Sequence, residues 1–306
     1  MSDCIDCGLQ SKNTGRPATA KPFGVVEGMF AMAMVADDGT KNGYDFSVAF
    51  DQAYLDARLN DSDPSKRWYP ITDIENFAAP QAENQYETFQ SGNKSLIQKG
   101  VRSAEMKIAK TVSKFAGQLQ AVGSCGSIGV LMYDECENLR GNTKDAGFLR
   151  PSKIADNTWS AILQWAVAGS NAQNTDIMFD FHKSELDKDL GHLTSSTITA
   201  DIFGAEGLRD VTFTDIVASA ATDTITFNAR SIYGDASDLD NVAGLEIADL
   251  TIIVNAVTLT VTDLTQQVGG EYIATVSDDL LAAETGTING SKDGLVFAEG
   301  SITVVA

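Results

Sequence analysis

"YETFQSGNKSLIQKGVRSAEMKIAK", residues 86–110, decides how this chain is read. Ala104, Met106 and Ile108 alternate with Glu105 and Lys107, the period of a strand with one apolar face. Ser91-Gly92-Asn93 has turn composition, so the segment reads as a two-stranded ribbon. Its apolar face is thin for a monomer's core, and its pattern is too regular for a disordered loop. Such a strand pair gains its missing hydrogen bonds and burial when its free edges continue a sheet in a neighbouring copy. Identical subunits in a ring close such edges by heterologous contacts around a symmetry axis. Glu87, Gln90, Lys94, Gln98, Lys99, Glu105 and Lys107 are then expected to form a polar face that lines water.

Outward from the ribbon, residues 1–22 are rich in Ser, Thr, Asn, Gly and Pro and read as an extended N-terminal arm. Residues 23–35 and "YDFSVAF" at 44–50 are β-type runs joined by the turn-rich "ADDGTKNG", and "DARLNDSDPSKRWYP" reads as a long polar loop. In "TVSKFAGQLQAV", Val112, Phe115, Ala116, Leu119 and Val122 share one helix face. "SIGVLMYD" at 127–134 is a buried-strand run, "TWSAILQWAVAG" at 158–169 reads as a short buried helix or a strand and leans toward strand, and Ile177, Phe179 and Phe181 alternate in "DIMFDFH". This first region, 23–200, is expected to be mainly β with one flanking helix.

From 201 to 306 the texture changes to short Thr/Val/Ile-rich runs separated by Gly, Asp and Asn, the pattern of a β-sandwich. Within it, Val254, Ala256, Thr258, Thr260 and Thr262 alternate with Val257, Leu259 and Val261, which predicts one greasy and one hydroxylated face. The net charge of −20 is concentrated here: 17 Asp/Glu against 3 Lys/Arg, leaving 25 against 19 upstream. Such a field repels phosphate and excludes tight nucleic-acid binding. It favours solubility, beside the ordinary use of Asp in turns. No basic start followed by an apolar run opens the chain, and "MFAMAMVA" at 29–36 falls short of the ~20 residues of a membrane-spanning helix. A soluble protein made in a cytoplasm, with no membrane partner, is expected.

Cys4 and Cys7 form a C-x-x-C that Cys125 and Cys136 could complete as four zinc thiolates, but Cys125 and Cys136 stand too far apart for the usual spacing. Buried cysteines acting as small hydrophobes is the plainer reading. "GSCGSIG" at 123–129 lacks both the Lys-Ser/Thr of a phosphate loop and the pattern of a hydrolase elbow. A Cys125 nucleophile would need His182 or His192 beside it. "DFHKSELDKDLGH" gathers Asp180, His182, Glu185, Asp187, Asp189 and His192, yet matches no helix-borne zinc motif or calcium loop and reads as a solvated loop. No catalytic, cofactor-binding or metal site is expected.

The layout resembles the tail tube (major tail) proteins of tailed bacteriophages. "RWYPITDIENFAAP", the ribbon, and the helix–strand unit "TVSKFAGQLQAVGSCGSIGVLMYD" carry the resemblance across about residues 20–200. It implies a tail-tube-like β-sandwich or barrel in hexameric, stacked rings, with extended hairpins lining a lumen through which DNA passes unbound, and arms joining ring to ring. It also implies an Ig-like sandwich outside the tube, other tail proteins as partners, and a place in the virion after assembly in the host cytoplasm. The implied lumen is predominantly negative, whereas the ribbon carries Lys94, Lys99 and Lys107. Three rivals share parts of this layout: a head decoration or capsid-associated protein, a metal- or cysteine-dependent hydrolase using Cys125 and His182, and a host-surface or carbohydrate-binding module in the C-terminal region using Tyr233, Tyr272 and Phe297.

Overall fold

The computed structural model describes residues 23–98, 100–123, 126–166, 173–185, 187–231, 241–267, 269–277, 279–292 and 294–305. The protein is mainly β, with sheets packed as sandwiches and two α-helices among the described residues. At the centre of the first sheet, Val26–Ala33 lies antiparallel between Ile128–Asp134 and Tyr69–Ile71. The sheet continues through Leu139–Asn142 to Leu190–Leu193. Its two central strands are apolar at almost every position because both faces of the sheet are covered. Met29, Ala31, Val130 and Met132 enter one core, while Phe30, Met32, Leu131 and Tyr133 enter another.

The first core is completed by a second antiparallel sheet, in the order Ser160–Gln164, Asn174–Asp180, Ser103–Ala109, Ile74–Ala78. Ala161, Ile177, Phe179, Ala104, Met106 and Ile108 supply its inner face. The predicted helix forms over Ser113–Val122 and closes this core through Leu119. Trp159 locks it there, donating its indole N–H to the Leu119 carbonyl at 2.8 Å while stacking on Phe179. On the opposite side of the central sheet, Leu55 and Leu59 of helix Gln52–Leu59 pack with Trp68, Tyr44 and Phe50.

Four sequence expectations change. The alternating Ala104, Met106 and Ile108 are core residues, at most 4% exposed, so this half of the ribbon has ample burial within the monomer. The run 44–50 is a strand only at Tyr44–Asp45. The polar loop expected at 56–70 begins inside helix Gln52–Leu59, so a second helix joins the expected one. That helix buries only Leu55 and Leu59, too sparse a stripe to read as amphipathic, and it starts because Asp51 accepts from the Tyr54 backbone N–H at 2.9 Å.

The fourth change lies in the C-terminal region. The 250–262 run is not one strand: Asn255 and Ala256 take positive φ and turn Leu250–Val254 back onto Val257–Thr258. Val257 is therefore exposed, and the greasy-face alternation stops at the turn. Residues from Val211 to Val304 enclose a core of their own, whereas Ile198, Ala200, Ile202 and Ala205 belong to the core around Phe30. The first strand here, Arg209–Ser219, runs parallel to the last two, Leu295–Ala298 and Gly300–Val305. Gly300–Val305 pairs first with Thr285–Gly290 and then with Arg209–Ser219, carrying the chain from one sheet to the other. At the start of this strand the packing is close enough that a Cβ on Gly300 would sit 2.7 Å from Ile216 and 2.8 Å from Ile288, forcing those side chains to shift.

Truncating Leu131, fully buried against the Phe30 cluster, should cost about 2–5 kcal/mol in urea unfolding. Leu96→Ala, at a half-exposed hairpin position, should stay within ~0.5 kcal/mol for the dilute protein.

Candidate functional site

The ribbon is longer than the sequence suggested, and it has two halves. Ile74–Ala78 pairs with Ser103–Ala109 inside the second sheet. The pairing then continues outward: Ser103 donates to the Pro80 carbonyl, Gln81 bridges Arg102, and Ala82 donates to the Val101 carbonyl. Beyond that, Gln85–Thr88 and Lys94–Gln98 form a separate two-stranded sheet around the turn at Gly92, whose φ is +81°. The root is built into a core, and the tip is bare.

At the tip, Tyr86, Phe89, Leu96 and Ile97 are 52%, 48%, 52% and 64% exposed. Tyr86 faces Leu96 and Thr88 faces Lys94 across the pair, so these four share one side and Glu87 with Ser95 take the other. The single polar face expected for Glu87 and Lys94 is thus divided between two faces, each amphipathic. Gln90 is exposed in the turn region, Gln98 lies in the second strand, and Lys99 falls outside the described residues.

Glu105 and Lys107 stand elsewhere, on the outer face of the four-stranded sheet. Lys107 lies between Asp176 and Glu75 in the register, its Nζ 3.6 Å from Asp176 Oδ1, and Glu105 lies between Met178 and Ala78. With Asp180 on the same face, four carboxylates confront one ammonium, so the surface is net negative despite its lysine. One border of this sheet is Ser160–Gln164, followed by Trp165 at 79% exposed, and the other is Ile74–Ala78. The signal was present in the sequence as the alternation of Asn174, Asp176, Met178 and Asp180. Which strand would lie beside it was not.

A cleft of about 360 Å³ opens at the ribbon's root, between the two sheets. Val26, Met132, Phe77 and Phe181 provide apolar walls, and Arg102, Arg140 and Lys183 provide charge. Asp134 holds one side of it. Its buried carboxylate accepts from the backbone N–H of Gly24, Cys136 and Asn138 and from the Asn138 side-chain amide, at 2.7–3.0 Å. Burial alone would raise its pKa, but these hydrogen bonds, led by Asn138, outweigh burial and hold it below the ordinary value. The turn so fixed starts Leu139–Asn142, which carries Arg140, while Gly24 anchors Phe23, whose ring lies 5.2 Å from the Arg140 guanidinium.

Of the chemical candidates read from the sequence, His182, Glu185 and Asp187 line this cleft. Cys4, Cys7 and Cys125 lie outside the described residues, and Cys136 is exposed with a free thiol. His182 pairs through Nδ1 with the Ser184 hydroxyl at 2.7 Å. The acidic residues of 180–189 turn to separate partners: Asp180 to Ser103, Glu185 to Arg150 and Asn142, Asp187 to Arg102. Among the described residues no group of three or more His, Cys, Asp or Glu could hold a metal. No described helix is long and apolar enough to cross a membrane. Tyr233 lies outside the described residues, Tyr272 is buried with its hydroxyl on the Val242 carbonyl, and Phe297 stacks on Phe213, so neither described ring is offered to a sugar.

No family model matches the sequence, and no curated protein is similar to it. Among solved structures, one similar chain is SGBP-B of the Bacteroides ovatus mixed-linkage glucan utilization locus, in complex with a mixed-linkage heptasaccharide. The identity is 10% and the TM-score 0.19, over 74% of this chain and 63% of that one. This chain therefore spans less than two thirds of that protein's length, and so distant a likeness carries no argument.

Asp134→Asn should lower stability by about 2 kcal/mol at neutral pH, since it removes charge-assisted acceptors from buried donors. Because the folded-state pKa is depressed, the wild-type contribution is fully present above the unfolded value near 3.9 and fades as pH falls through the lower folded value. The gap between the denaturant midpoints of the two proteins should therefore narrow as pH falls from 7 to 3.

Proposed function

We propose that the chain is a structural subunit that polymerises with itself into stacked rings, forming the tail tube of a bacteriophage. The hairpin Gln85–Gln98 carries this reading. A two-stranded sheet with four half-exposed large apolar side chains is marginal alone in water, and a neighbouring copy would supply both missing strands and missing burial. Completing the burial of Tyr86, Phe89, Leu96 and Ile97 would recover about half of the ~1.5–3 kcal/mol that each side chain yields when fully buried.

Two further features support the reading. The four-stranded sheet has a border strand on each side, so copies around an axis could join their sheets edge to edge. Its outer face is net negative, which suits the wall of a conduit that DNA crosses without adhering. The reading requires neither catalysis nor a cofactor. Its partners would be further copies of the chain and other tail proteins, and its location the virion.

Electron microscopy of concentrated protein should reveal rings or tubes, and Leu96→Asp with Ile97→Asp should leave single particles whose circular dichroism and melting match the dilute wild type. Trimers or monomers at every concentration would instead favour a head decoration or another capsid-associated protein. Unchanged tubes in the double variant would remove the hairpin from the assembly.

A further inference from the structure

The cleft at the ribbon's root has a charge balance opposite to that of the chain. In a protein of net charge −20, its lining holds Arg102, Arg140 and Lys183 against Glu185 and Asp187. Both carboxylates are already engaged. Asp187 pairs with Arg102 at 2.9 Å, and Glu185 takes Arg150 at 3.3 Å and the Asn142 amide at 2.6 Å. Arg140 and Lys183 make no salt bridge among the described residues. Arg140 has the Phe23 ring against its guanidinium, a contact that leaves its N–H donors unspent. Burial, and then the like charge of Arg102, lower its pKa against a smaller opposing pull from Asp187, which is itself paired with Arg102.

A second observation is independent of charge. Ser152 also lines the cleft; it is 0% exposed, and its hydroxyl has no hydrogen-bond partner. A buried hydroxyl left unpaired is costly and uncommon, and a ligand oxygen in the cleft would satisfy it. Around these donors, Val26, Met132, Phe77 and Phe181 form an apolar wall, and a volume of about 360 Å³ lies within the usual range for small-molecule sites.

We infer that this cleft binds a small organic acid, its carboxylate received by Arg140 with Ser152 and its apolar body held against Phe77, Phe181, Met132 and Val26. Arg102 stays with Asp187 and sets the cleft's field, and Lys183 lies at the rim as a general attraction for anions. Inorganic phosphate would satisfy the charge but leave the apolar wall unused. A neutral alcohol of the same body would fill the wall but leave Arg140 unmatched. Both should bind less well than the acid. This site is independent of whether the chain forms tubes.

Calorimetric titration of the full chain, kept dilute, with 3-phenylpropionate, 3-phenylpropanol and inorganic phosphate tests the assignment. Saturable binding of the acid is expected, with the alcohol and phosphate each weaker by roughly tenfold or more. Arg140→Gln should weaken the acid by about tenfold or more, and Arg140→Lys should restore part of the loss without the paired N–H geometry. Ser152→Ala should weaken it by a smaller factor, and this variant reports on the site even if Arg140→Gln fails to fold. Absence of saturable binding at millimolar acid, equal affinity for the acid and alcohol, or an affinity indifferent to both Arg140 and Ser152 would overturn the site.

Discussion

A two-stranded sheet cannot cover both of its own faces. That constraint governs the ribbon from Ile74 to Ala109. Its root escapes the constraint by joining a four-stranded sheet, where Ala104, Met106 and Ile108 reach the core. Its tip does not, since Tyr86 and Leu96 share one face with no layer beneath them. A tip that keeps strand geometry without a core would gain burial from a second layer, which the proposed assembly would supply.

The ribbon's root is built into the four-stranded sheet, which packs on the central sheet through a shared core. The central sheet is buried on both faces, which makes Val26–Ala33 and Ile128–Asp134 a rigid layer between two cores. Trp159 fastens the helix Ser113–Val122 over the end of the second sheet, and Asp134 ties the chain at Gly24 to the turn before Arg140. The cleft lies where these supports meet the ribbon, so a ligand there would touch the root of the element proposed to assemble. The C-terminal sandwich has a hydrophobic core of its own, drawn from Val211 to Val304, and meets the first region through polar contacts such as Gly294 to Asn60 and Gln118 to Asp210. Its acidic excess therefore adds charge without altering the packing around the ribbon.

Much of this was legible in the sequence, and the failures have physical causes. Strand 128–134 and the alternation at Ile177, Phe179 and Phe181 could be read because burial writes itself into period and hydropathy. The helix Gln52–Leu59 could not, because two buried leucines and a capping aspartate leave almost no stripe. The run 250–262 misled because Asn255 and Ala256 turn the chain within an unbroken β-type composition. Of the candidate site, the turn at Gly92 and the alternation in Ser103–Ala109 were visible, but not that Glu105 and Lys107 belong to a different surface from Glu87 and Lys94. The cleft as a whole was not legible, since Arg102, Arg140 and Ser152 come from separate strands and turns, although "DFHKSELDKDLGH" did hold His182, Lys183, Glu185 and Asp187 of its lining.

Amide hydrogen exchange of the whole chain at two concentrations tests the central claim most directly, because it reads the backbone groups at issue. The account requires amides of 85–98, together with the outward-pointing amides of the border strand Ser160–Gln164, to exchange rapidly in dilute solution and to become protected as concentration rises, while the core strand Ile128–Asp134 stays protected throughout. Equal and strong protection of 85–98 at both concentrations would mean that the hairpin is complete within one chain, and would contradict it.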